Sequence, residues 1–239
     1  MRATATVTRI GRLRLPTLCL ITDRQRCGKS PLEDVVDQAI KGGVNLIQLR
    51  EKDLPTGELL ALAIRLREVT RGRAILVIND RLDVAQAAGA DGVHLPENGL
   101  PVAIARWLLG QHTLIGRSVH SKEAAIEAEQ AGADYVQLGT IYATESKPDA
   151  KPAGPDLVRK VSGAVAIPML AVGGVRAENA AEVIEAGASG ASVISAIQGA
   201  DDPEAATRQL VEIMSEAWKK RSTLPEEETA KPAKPAKAD

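Results

Sequence analysis

Short apolar runs of strand length alternate along this chain with longer segments opened by helix-capping residues and closed by glycine. The runs lie at residues 17–22, 74–78, 92–95, 114–119, 135–139, 168–172 and 191–194, with one more opening the stretch 44–52. Unbroken Val, Leu and Ile suit strands that are covered on both faces. Between them, Ser30-Pro31 supplies an N-cap and a first-position proline for a helix through about residue 41, stopped by Gly42-Gly43. Thr56 caps a helix to Thr70, a short helix over 82–88 stops at Gly89, and another over 101–109 stops at Gly110. Ser121 opens the next, with Gly132 past its end, and further helices begin at Ala177 and Asp202.

The phrases GGVNLIQLR, AGADGVHLP, AGADYVQLG and AGASGASVIS are near-repeats of one unit: a helix-terminal glycine, a tight turn and a buried strand. Eight such βα units predict an α/β fold, a single (β/α)8 barrel, over residues 15–220. An Arg- and Thr-rich arm, 1–14, precedes it, and a Pro/Lys/Ala-rich stretch, 221–239, reads as a disordered tail.

The stretch 44–52 changes character at its end, where Gln48, Arg50 and Lys52 follow the apolar residues. Side chains two apart on a strand share a side, so an amide and two cations would face one rim and could cradle a phosphate. Polar residues gather at the same address after the other strands: Asn79 and Asp80, His94 and Glu97, Ser118 and His120, then Thr144, Ser146 and Lys147. Strand C-terminal ends carry the active site in this architecture. Gly173-Gly174 and Ile194-Ser195 mark the customary phosphate position, where glycine admits close backbone approach and a helix N-terminus adds a favourable dipole. Asp80 is the metal candidate, because Mg2+ bridging a diphosphate needs only one or two protein carboxylates. A salt bridge from Asp80 to Arg50 or Arg81 is the competing expectation.

Composition narrows the partners. The net charge is −1, aromatic residues are 2% and phenylalanine is absent, so neither a basic nucleic-acid face nor a base-stacking platform is expected. No run reaches the roughly 18 apolar residues of a membrane span. The arm lacks the apolar core of a secretory signal, while a short organelle-targeting segment stays compatible with it. Two cysteines without a CxxC spacing fit a reducing, cytoplasmic compartment. Small phosphate and diphosphate molecules are the expected ligands, and homo-oligomerisation is left open.

The strings QLREK (48–52), ND (79–80), DGVHL (91–95), GRSVHS (116–121), TESKP (144–148), VGG (172–174) and VIS (193–195), in this order and spacing, resemble the thiamine-phosphate synthase and TenI-like thiazole tautomerase barrels over about residues 18–210. The resemblance implies condensation of an aminopyrimidine diphosphate with thiazole phosphate to thiamine phosphate and diphosphate. It assigns Gln48, Arg50, Lys52, Asn79 and Ser118 to the pyrimidine diphosphate, with Lys147 assisting. Asp80 would bind Mg2+, and Thr144, Glu145, Ser146, Gly174, Ile194 and Ser195 would receive the thiazole phosphate. The pattern departs from the synthases where Gly99 stands at the position of their second carboxylate ligand, and Thr140 stands where they often have proline. GRSVHS is similar to the tautomerase branch, in which the counterpart of His120 moves a proton; imidazole suits that role near neutral pH. Synthase is therefore the first expectation, tautomerase the second, and a non-catalytic metabolite-binding barrel the third.

Overall fold

A computed structural model describes residues 13–146 and 148–223 of the chain. Lys147, most of the expected arm and residues 224–239 of the expected tail lie outside the described residues. The strands are β1 (Thr17–Ile21), β2 (Leu46–Leu49), β3 (Ile75–Asn79), β4 (Gly92–Leu95), β5 (Leu114–Val119), β6 (Tyr135–Leu138), β7 (Met169–Val172) and β8 (Gly190–Val193). The helices are α1 (Leu32–Gly42), α2 (Thr56–Thr70), α3 (Leu82–Ala87), α4 (Val102–Leu109), α5 (Lys122–Gln130), α6 (Pro155–Ser162), α7 (Ala177–Glu185), α8 (Ser195–Gln198) and α9 (Pro203–Thr223). All strands pair in parallel with their sequence neighbours, and β8 closes on β1, so the expected (β/α)8 barrel is the observed one.

Period-2 alternation sorts the strand side chains into two cores. Ile47, Leu49, Leu76, Ile78, Val93 and Ile115 face the helices, whereas Cys19, Leu46, Val77, Leu114, Tyr135 and Leu170 fill the barrel. The near-repeats acquire a physical reason. The residue just before each of three strands accepts the N–H of the second residue of the preceding strand: Leu18 N donates to Asn45 Oδ1 at 3.1 Å, Leu76 N to Asp91 Oδ2 at 2.8 Å and Ile115 N to Asp134 Oδ2 at 2.7 Å. An arginine from the adjoining helix then neutralises each aspartate, Arg67 on Asp91 and Arg106 on Asp134.

Several boundaries move. Pro31 and Pro55 occupy the N-cap positions of α1 and α2, so Ser30 is not the cap and Thr56 is already helical. Ser121 does cap α5, accepting from Ala124 N at 3.1 Å. Helix α6 and the four-residue α8 were not delineated from the sequence; α8 begins where Ile194 turns out of the barrel instead of extending β8. Helix α9 packs on α1 and α7 and continues three residues past the expected end at residue 220. Arg221 belongs to the helix because it donates to Ile184 O and Ala188 O and stacks on Trp218. No helix among the described residues is long and apolar enough to cross a membrane.

Candidate active site

The C-terminal ends of the strands enclose a cavity of about 400 Å³. Its inner wall is a chain of amides. Gln137 Nε2, from β6, donates to Gln48 Oε1 at 2.8 Å, and Gln48 Nε2 donates to Asn79 Oδ1 at 3.2 Å. Each amide therefore has a set orientation, since a buried polar group without a partner is costly.

The alternation begun in β2 persists beyond it. Gln48, Arg50 and Lys52 all line the cavity, as their spacing predicted. Glu51 turns the other way, is buried, and accepts from Arg24 N and Arg24 Nη1, both at 3.1 Å. Arg24 also holds Asp53, whose carboxyl is lowered to about 2 by that hydrogen bond. Arg50 N donates to Thr22 Oγ1 at 2.9 Å, tying the emerging chain to β1. The two cations thus project from an anchored backbone.

Asp80 stands at the mouth, exposed, with a left-handed φ of 64° stabilised by its N–H donating to His94 O at 2.9 Å. The expected salt bridge to Arg81 does not form. Arg81 instead directs its guanidinium to Asp83 and to Thr56 Oγ1. A Cβ added at Gly99 would lie 3.0 Å from Asp80 Oδ1, so the position that carries a carboxylate in the synthases does face Asp80. Glu97, which follows β4, pairs its Oε2 with His120 Nδ1 at 2.8 Å. Arg117 holds that loop by donating to Glu97 O and Leu100 O. Among the described residues no cluster of three or more His, Cys, Asp or Glu is arranged around a metal position.

His94 differs from its expected address at the rim. It is fully buried beneath the cavity, between Tyr135 and Ser118, and burial reinforced by the charges of Arg117 and Arg50 pushes its pKa down to about 3. It is a neutral imidazole. Ser118 and His120 do line the cavity.

On the far side, Thr144, Ser146, Gly173, Gly174, Ile194 and Ser195 complete the lining. Glu145 does not. It points outward, with its carboxylate on Arg26 at 3.1 Å. The loop after β6 is joined to the glycine turn by Ile141 N to Val172 O and Tyr142 N to Gly173 O. Gly174 has φ of 64°, and a Cβ there would sit 2.3 Å from Ala143 O. Gly174→Val is therefore expected to displace the Thr144–Ser146 loop rather than merely narrow the cavity. Left-handed strain alone costs roughly 1–3 kcal/mol, so urea denaturation should show a loss of at least that size. Unchanged stability would show that the loop is not held by this turn.

Sequence reasoning missed Gln137, which appeared only as a strand residue. The available signal was an amide in the middle of an apolar strand, a position where a buried polar group requires a partner. It also missed the carboxylate partner of His120, because Glu97 and His120 belong to different βα units and meet only because β4 and β5 lie side by side.

The family profile described as thiamine monophosphate synthase matches residues 18–197. The thiamine-phosphate synthase of Natronomonas pharaonis is 47% identical over 81% of this chain and 92% of its own length. That of Roseiflexus sp. is 43% identical over 85% of this chain and 87% of its own length. Among solved structures, a thiamine phosphate pyrophosphorylase from Pyrococcus furiosus superposes with a TM-score of 0.78 at 38% identity, covering 88% of this chain and 98% of that one.

Proposed function

The chain belongs to the thiamine monophosphate synthase family, and we propose that its barrel mouth joins an aminopyrimidine diphosphate to thiazole phosphate, releasing diphosphate and thiamine phosphate. The enzyme is a transferase of the diphosphorylase type. The observation that supports the reading is that one cavity has two dissimilar sides, one of cations and amides and one of a glycine turn with hydroxyls. Gln48, Arg50, Lys52, Asn79 and Ser118 form one, and the Gly173-Gly174 turn with Thr144, Ser146, Ile194 and Ser195 forms the other.

In this reading the pyrimidine diphosphate lies against the cationic side. Its methylene C–O bond breaks, the electron pair leaves with the diphosphate, and the thiazole nitrogen supplies the pair for the new C–N bond. Arg50 and Lys52 stabilise charge as it develops on the leaving oxygens, and pre-oriented groups are most effective there because they need no reorganisation. The amide chain through Gln48 and Asn79 supplies fixed dipoles for the pyrimidine side. Backbone N–H groups at the glycine turn and at the start of α8 face the thiazole phosphate, since the first N–H groups of a helix lack intrahelical acceptors.

Asp80 would hold Mg2+ through its one carboxylate, which suffices for an ion that commonly takes one or two protein carboxylates. The bound ion would neutralise the leaving diphosphate. Gly99 lowers the carboxylate count, so the enzyme should require raised Mg2+. Gly99→Asp is expected to lower the Mg2+ concentration for half-maximal condensation, after a small shift of the Pro96 ring that a new Cβ would touch at 2.9 Å. An unchanged Mg2+ dependence would remove Asp80 and position 99 from the metal site.

The Glu97–His120 pair is the one observation favouring a second reading, proton transfer on a carboxythiazole phosphate. An imidazole oriented by a carboxylate at the cavity edge is suited to it. Assays of both reactions against Mg2+ separate the two: isomerisation that His120→Ala abolishes, with no condensation at any Mg2+ level, would replace the first reading by the second. Small phosphates, not nucleic acid or a membrane, are the ligands in either case. The free cysteines Cys19 and Cys27 fit a cytoplasmic setting.

A further inference from the structure

The barrel interior holds a polar chain that leads from a phenol to the cavity. Tyr135 is completely buried in β6, and its ring crosses toward β5 through the space left by Gly116, where a Cβ would lie 2.2 Å from Tyr135 Cζ. Its hydroxyl reaches His94 Nδ1 at 3.1 Å, and His94 Nε2 reaches Ser118 Oγ at 2.8 Å. Ser118 is the link that touches the cavity.

Proton counting decides the direction of this chain. The phenol has one proton, a neutral imidazole has one, and the serine hydroxyl has one. Among the described residues the Tyr135 hydroxyl has His94 as its hydrogen-bond partner and no second acceptor. A buried hydroxyl proton without an acceptor is costly, so the phenol donates to Nδ1. The imidazole proton must then sit on Nε2 and be donated to Ser118 Oγ. With its oxygen receiving that bond, Ser118 keeps its own proton for the cavity. The opposite tautomer would turn the serine proton onto His94 and strand the proton of Tyr135.

We propose that Tyr135 is a positioning residue: through the Nε2–H tautomer of His94 it makes Ser118 a hydrogen-bond donor to an acceptor atom of the pyrimidine substrate. The geometry sets the tautomer by itself; the identity of the acceptor rests on the synthase reading above. His94 is completely buried between its two partners, so no water competes for either ring nitrogen. Replacing the phenol by phenyl removes the constraint, frees Nδ1 to carry the proton, and lets Ser118 turn its hydrogen toward His94 and away from substrate.

The test uses the full chain in two measurements. Nitrogen-15 NMR of histidine-labelled wild type resolves three histidines, with His94 assigned by difference from His112→Gln and His120→Gln. The expected result is the Nε2–H pattern at His94; an Nδ1–H pattern or a solution-like mixture overturns the proposal, whether or not the Tyr135 and Ser118 variants fold. Steady-state kinetics then reads Tyr135→Phe, Ser118→Ala and the double variant. Each single change should raise KM for the pyrimidine diphosphate roughly 3–10-fold, the worth of one hydrogen bond, with KM for thiazole phosphate unchanged. The double variant should match Ser118→Ala, because both act through one donor. Equal effects on both substrates, or additive ones, would make Tyr135 merely structural and overturn the proposal. Wild type that shows the Nε2–H pattern but no condensation sinks the synthase reading and leaves the tautomer standing. Normal condensation with the other tautomer sinks this inference alone.

Discussion

Lys52→Ala and Asp80→Asn should each lower condensation turnover by roughly 10²–10³-fold, the loss typical of one oriented electrostatic contact in a closed site. Folding should be nearly untouched, because both side chains stand exposed at the mouth. Lys52 shares the cavity with Arg50, and a leaving diphosphate gathers charge faster than one guanidinium compensates. The Asp80 change keeps size and shape and removes only the charge that would hold Mg2+. Raising Mg2+ should partly restore Asp80→Asn and leave Lys52→Ala as slow as before. Stopped-assay rates with melting curves on the same samples provide the measurement. Turnover close to wild type in both variants would remove the diphosphate from this side of the cavity.

The largest loss of stability should come from Asp134→Ala, far from any substrate. Arg106 and Asp134 are both buried, and they meet at 2.5 Å. Asp134 also accepts Ile115 N, while Arg106 gathers the carbonyls of Gly110, Thr113 and Gly132. Without the carboxylate, Arg106 remains as an uncompensated buried cation and the Ile115 N–H loses its acceptor. Breaking such a pair costs roughly 3–5 kcal/mol, against a total stability of roughly 5–15 kcal/mol for a domain. Asp91→Ala removes the homologous contact with Arg67, but there the side chains are 21% and 35% exposed, so water replaces part of what is lost and the effect should be smaller. Urea unfolding of the two variants orders them. Equal losses would mean that burial is not what makes the Asp134 pair matter.

The order of strands and helices was legible because it is a local property. An apolar run between glycine turns can be satisfied only by a covered strand, and repeating that unit leaves a closed parallel barrel as the way to cover every run. Gln48, Arg50 and Lys52 were legible for the same reason, since period-2 geometry puts them on one side whatever their surroundings. The positions of Asp80 and Ser118 at strand ends also followed from register alone. What could not be read locally was every relation between units. Gln137 joins Gln48 across 89 residues, and His120 meets Glu97 only because β4 and β5 lie side by side. His94 looked like a rim residue until the ring of Tyr135 and the charges near it showed a buried neutral imidazole. Glu145 sits within a matching motif, yet Arg26 draws it out of the cavity. Gly174 looked like space for a phosphate, and its missing Cβ proves to be space for Ala143 O. Sequence thus determined which side chains could reach the mouth, because strand geometry is short-range. Tertiary structure decided which of them face one another, because burial and pairing depend on neighbours that the chain brings from other strands.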